Sequence, residues 1–92
     1  MYYIILGSQV LMVHKFQNIH GLVYVLDSAT KNYMAEIEKL VEEIKNEKNF
    51  PFSSVYVKMP LYMTNKFVNE IDKHGLKVKS STHKKHEVMM EL

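Results

Sequence analysis

Ten residues near the carboxyl end, Lys77 to His86, read KVKSSTHKKH and hold four lysines, two histidines and no acid. Lys77, Lys79, His83, Lys84, Lys85 and His86 together suit an anionic polymer. Such a cluster attracts phosphate and gives salt-dependent, sequence-tolerant binding, as a flexible basic arm does. All twelve basic residues of the chain are lysine. Lysine acts as a point charge, whereas arginine supplies the bidentate contacts that read guanine, so sequence-specific DNA reading is disfavoured. The plainer alternative is a solvated strand face and turn, where lysine discourages edge-to-edge aggregation.

His83 and His86, followed by Glu87, offer two imidazoles and a carboxylate. Their spacing suits a helix better than a turn, and the adjacent lysines repel a cation, so no metal site is expected. A second candidate is Asp27-Ser28, between an apolar strand and a helix. Ligands of parallel sheets gather at strand carboxyl ends. There Asp27, Ser28 and Lys58, with Ser80, Ser81 and Thr82 near the same edge, could hold a small substrate or phosphate. The simpler role for Asp27 or Ser28 is to cap the long helix that follows. The other histidines, His14, His20 and His74, fall on different elements, and His74 suits a helix C-terminus. Gly7, Gly21 and Gly75 are isolated, so no glycine-rich phosphate loop is present, and no serine nucleophile motif occurs. No catalytic residue and no cofactor are expected.

Composition narrows the class. Ninety-two residues make one domain, residues 1–92, with a net charge of +2. The charge is uneven: residues 1–52 carry five lysines against six acids, and residues 53–92 carry seven against four. A chain of this size buries about 60–65% of its unfolded surface and gains from outside support. It has no cysteine, which excludes disulfides and thiol chemistry and fits a reducing compartment. Oligomerisation is then the natural support. The apolar runs are too short for a bilayer, and no basic n-region or small-residue cleavage site accompanies them. A cytoplasmic protein without membrane contact is expected. Lysine-only basic residues, six asparagines and no tryptophan are the usage of an AT-rich genome, such as a low-GC bacterium or one of its phages.

The elements follow from periodicity. Strands are expected at Tyr2–Leu6, Val10–Phe16 and Leu22–Leu26, with a loop over Gln17–Gly21 in which Gly21 takes positive φ. A helix spans Ala29–Lys48, with Tyr33, Ile37, Leu40, Val41 and Ile44 on one stripe. On its outer face Glu36/Lys39 and Glu42/Lys45 can pair. A half-buried strand covers Ser54–Met59, and Pro60 opens a second helix to His74 that aligns Met63, Phe67 and Ile71. Gly75 suits the position after the helix end. Leu76–Ser81 alternates as a fifth strand, and Glu87–Leu92 returns antiparallel. The fold class is α/β, a two-layer α+β arrangement of order βββαβαββ. It has a mixed sheet of five or six strands with two helices mainly on one face. Right-handed crossovers place the third, fourth and fifth strands parallel.

Tyr2 to Val13 is almost free of polar side chains, and a strand apolar at every position buries both faces. Two helices do not cover every strand twice. A homodimer through Tyr2, Tyr3, Ile4, Leu11 and Val13 is therefore expected, where tyrosine gives contact area at low entropic cost.

The βαβαββ portion, Leu22 to Leu92, resembles in topological outline the Alba-type and translation-initiation-factor C-terminal-domain folds. No sequence motif of either group is present. The resemblance implies a nucleic-acid partner, since many of those folds bind one. The sequence thus reads as a small non-catalytic binding or regulatory protein. Its partner is a protein or a nucleic acid met by the basic hairpin. The alternative is a small enzyme or ligand-binding protein using Asp27 and Lys58.

Overall fold

The computed structural model describes residues 3–5, 11–18, 21–29, 33–48 and 54–92. Among them six strands form one sheet: β1 (Tyr3–Ile5), β2 (Leu11–Asn18), β3 (Gly21–Ala29), β4 (Val55–Pro60), β5 (Ser80–Lys84) and β6 (Glu87–Glu91). Helix α1 (Met34–Lys48) joins β3 to β4, and a 3₁₀ turn at Leu61–Met63 leads into α2 (Thr64–Lys73). The element order is the expected βββαβαββ, and the sheet is mixed.

The strands lie in the order β1-β2-β3-β4-β6-β5. β1, β2 and β3 form an antiparallel meander, and β3 pairs with β4 in parallel, as a helical crossover through α1 requires. β6 is antiparallel to both β4 and β5. The fifth strand therefore runs in the direction of β3 and β4 but does not neighbour them, because β6 is inserted between β4 and β5.

One face of this sheet carries the core. Leu22, Tyr24 and Leu26 of β3, Val55, Val57 and Met59 of β4, and Val88 and Met90 of β6 are buried in one cluster. That cluster also holds Tyr33, Ile37, Leu40, Val41 and Ile44 from the α1 segment and Met63, Phe67 and Ile71 from the second helix. Both helical stripes legible in the sequence are thus the buried ones, and both helices cover the same face. Burying a side chain of this size contributes about 1.5–3 kcal/mol. Gly21, at φ +136°, opens β3, and a β-carbon there would stand 2.1 Å from the Ser54 carbonyl oxygen. Only glycine lets β3 approach the start of β4 this closely. Gly75, at φ +77°, follows the end of α2 as its spacing suggested.

Several boundaries move. β3 continues to Ala29, so Asp27 and Ser28 are strand residues and cap no helix. The first turn of α1 closes on the Tyr33 carbonyl, which accepts from the Ile37 N–H at 3.0 Å. The Cα register passes from Met12↔Ser28 to Val13↔Leu26, leaving Asp27 as the extra residue of a β-bulge. Pro60 ends β4 in extended geometry (φ −61°, ψ 146°) and is not the first helical residue. Leu76 and Val78 precede β5 and pack partly buried against the edge of the core. Their alternation reflects that packing.

The largest correction concerns β2 and β3. Leu11 and Val13 are 0% and 2% exposed, in the same cluster as the helices, so they belong to this chain's own core and offer no surface to a partner. Tyr2 lies outside the described residues. Tyr3 and Ile4 are placed only by backbone register, opposite Phe16 and Lys15. The chain shelters one face of the β2–β3 ribbon itself. On the other face Met12, Phe16 and Val25 stay half-buried.

Candidate nucleic-acid interface

β5 and β6 pair over five positions, Ser80↔Glu91 to Lys84↔Glu87, leaving Lys85 and His86 as a two-residue turn. Such turns need positive φ at their first central position, which favours glycine, asparagine or aspartate. Here Lys85 takes that place at φ 49°, and among the described residues it is the one non-glycine residue with positive φ. A left-handed lysine costs about 1–2 kcal/mol relative to glycine. The tip is also anchored, because the Leu61 N–H donates to the His86 carbonyl at 2.7 Å. The basic segment is therefore part of the sheet and not a flexible arm.

Every residue of β5 is exposed, as are Lys77, Lys79, Lys85 and His86. Lys15 pairs with Glu43 and Glu47, Lys58 with Glu87 and Lys73 with Glu70, whereas Lys39 and Lys45 on α1 and Lys66 on α2 lie apart from one another in sequence. Lys77, Lys79, Lys84 and Lys85 make no ion pair among the described residues. The hairpin thus collects uncompensated charge. Beside its tip stands an aromatic that the sequence reading passed over. Tyr62, 63% exposed, follows the Leu61 whose N–H holds His86. Nothing local in the sequence marks Tyr62. Its position depends on β6 returning beside β4.

The sheet face opposite the helices divides in two. On the β2–β3 side lie Met12, Phe16 and Val25, with His14 Nε2 3.2 Å from the Asp27 carboxylate. Asp27, the extra residue of the bulge, faces His14 and is exposed at 65% of its side chain, and it is not among the residues that line the Lys58 cleft. On the β4–β5 side Lys58 joins Thr82, Lys84, Glu87 and Met89 around a cleft of 240 Å³. The ligand site expected from Asp27, Ser28 and Lys58 is thereby split. Lys58 belongs with the hairpin and Asp27 with His14, while for Ser28 only the backbone register is described.

Two further clusters join layers. On the helix side of β2, Lys15 Nζ donates to Glu43 at 2.9 Å and to Glu47 at 3.0 Å, and it stands 5.8 Å from the Tyr24 ring centre. Burial disfavours the Lys15 charge, but the two carboxylates outweigh it and hold its pKa above the usual lysine value. Burial, reinforced by Glu43, also pushes the Tyr24 phenol above its ordinary range. His74 receives Glu42 of α1 at 3.2 Å, and its Nδ1 lies 3.0 Å from the Glu70 carbonyl. Glu42 thus reaches His74 at the end of α2, and no Glu42–Lys45 ion pair forms among the described residues. Among the described residues no three His, Asp or Glu side chains gather as a metal-holding group, and no helix is long and apolar enough to cross a membrane.

Compared with protein-family models, with curated proteins and with solved structures, the chain matches none.

Proposed function

We propose that the protein is a non-catalytic binding protein whose partner is a nucleic acid, met through its phosphates by the β5–β6 hairpin. The observation that carries this reading is the left-handed Lys85 at the tip of a hairpin in which Lys84 and Lys85 are unpaired, with Lys77 and Lys79 unpaired in the segment leading into it. Residues held in sparsely populated backbone regions cluster at ligand contacts. Tyr62 supports the same reading, since an exposed ring beside a basic surface stacks on a base whatever its identity. Lysine without arginine makes the contact sequence-tolerant. The test is fluorescence anisotropy of a labelled oligonucleotide at low salt. Wild-type protein binds, and a Lys84→Glu/Lys85→Glu double variant loses at least ten-fold in affinity. Absence of binding by the wild type contradicts the reading.

The same reading includes a homodimer, with its surface moved from Leu11 and Val13 to the half-buried Met12, Phe16 and Val25. On this part of the face Asp27 is engaged by His14 at 3.2 Å. Its apolar side chains gain from cover when it meets its own copy. The β5–β6 side, where the lysines are unpaired, stays open to the polyanion.

A further inference from the structure

We infer that the cleft between Lys58, Thr82 and Lys84 is a phosphate-group site that Glu87 occupies as a counter-ion in the free protein. This inference rests on the nucleic-acid reading for the source of the phosphate. The three residues converge because β6 is inserted between β4 and β5. Lys58 of β4 and Thr82 of β5 both lie in register with Met89. Two strand spacings of about 4.8 Å set their backbones about 10 Å apart. Met89, 39% exposed, forms an apolar floor between them. Lys84, two residues beyond Thr82, closes the same side.

The donor set selects the ligand. Lys58, Thr82 and Lys84 bring two ammonium groups and a hydroxyl from two strands to the lining of a 240 Å³ cleft. A carboxylate has two oxygens and one charge, and satisfies only part of this set. A phosphate group offers further oxygens, and ammonium groups hold it as point charges. Met89 adds an apolar wall that does not compete for hydrogen bonds.

Glu87 is the remaining wall and the one anion present. Its carboxylate is 3.2 Å from Lys58 Nζ, with both side chains well exposed (51% and 39%). A surface pair of this kind is worth about 0–1 kcal/mol, so an incoming phosphate displaces it at little cost. Glu87 thus holds Lys58 toward the cleft until the ligand arrives. It also limits affinity, because its charge stays nearby afterwards.

The test measures a labelled single-stranded oligonucleotide and, separately, inorganic phosphate and pyrophosphate, against wild-type, Lys58→Gln, Thr82→Val, Glu87→Gln and Lys85→Gly proteins. Glu38→Gln, an equal charge change on an exposed position of α1, is the control. Circular dichroism establishes that each variant folds. Lys58→Gln is expected to weaken oligonucleotide binding about five- to ten-fold and Thr82→Val about two- to three-fold. Glu87→Gln is expected to tighten it several-fold while Glu38→Gln does not, and pyrophosphate is expected to compete. If Lys58→Gln, Thr82→Val and Glu87→Gln all bind as wild type while Lys85→Gly weakens binding, the site is overturned and the hairpin reading stands. If phosphate or pyrophosphate binds in a Lys58-dependent way and no oligonucleotide does, the site stands with a free phosphate compound as its ligand, and the nucleic-acid reading falls. If nothing binds, both fall.

Discussion

Lys15 Nζ donates to the Glu43 carboxylate across 2.9 Å and so ties β2 to α1 at the margin of the core. Glu47 accepts from the same ammonium one helical turn on. Like charges four residues apart destabilise a helix by a few tenths of a kcal/mol, so the cation between them has a structural part. Replacing it leaves two half-buried carboxylates facing apolar surface. Lys15→Met is expected to lower unfolding free energy by about 1–3 kcal/mol, and Glu43→Gln/Glu47→Gln in that background to restore part of the loss. Urea denaturation of the single and triple variants measures both.

Alkali should act on the same cluster. Lys15 and Tyr24 both hold their protons more tightly folded than unfolded. The unfolded chain therefore releases protons first as pH rises. Stability from these groups is complete below about pH 10, the ordinary tyrosine and lysine range, and is lost above it. Denaturation midpoints measured from pH 7 to 11 are expected to fall only at the alkaline end, and Tyr24→Phe is expected to flatten that fall.

Lys85→Gly separates stability from binding. Glycine accepts φ 49° without the steric cost a lysine bears, so the variant is expected to be about 1 kcal/mol more stable. It is also expected to bind oligonucleotide more weakly, with a salt dependence reduced by about one. A thermal melt and a salt titration of the same sample give both signs.

Phe16→Glu places a charge on the half-buried part of the face opposite the helices and leaves the core untouched. Wild-type protein is expected to sediment as a dimer at micromolar concentration and this variant as a monomer, with an unchanged circular dichroism spectrum. A wild-type monomer removes the proposed pairing.

Much of the architecture was legible because it rests on periodicity. The stripes through Ile37, Leu40 and Ile44 and through Met63, Phe67 and Ile71 are fully or almost fully buried, and Tyr33 joins the core as its spacing suggested. What misled was polarity read without register. Tyr2–Val13 looked wet on neither face, yet Leu11 and Val13 belong to the core on the helix side and the half-buried Met12 lies on the other face. A bulge at Asp27 then turned an expected cap into a partner for His14. The cleft was out of reach for a different reason. Lys58 and Thr82 meet only because β6 comes between their strands, and strand order depends on contacts distant in sequence. Glu43 and Glu47 did carry a local signal, since two acids at i and i+4 ask for a cation between them.

The most direct measurement is the salt dependence of oligonucleotide affinity for the wild-type protein beside the Lys84→Glu/Lys85→Glu variant. Four unpaired lysines engaging phosphates predict that log K falls against log salt with a slope of about −3. The variant should retain little binding at any salt. A wild-type affinity that is absent at low salt, or present but indifferent to salt and to the double reversal, would contradict the account.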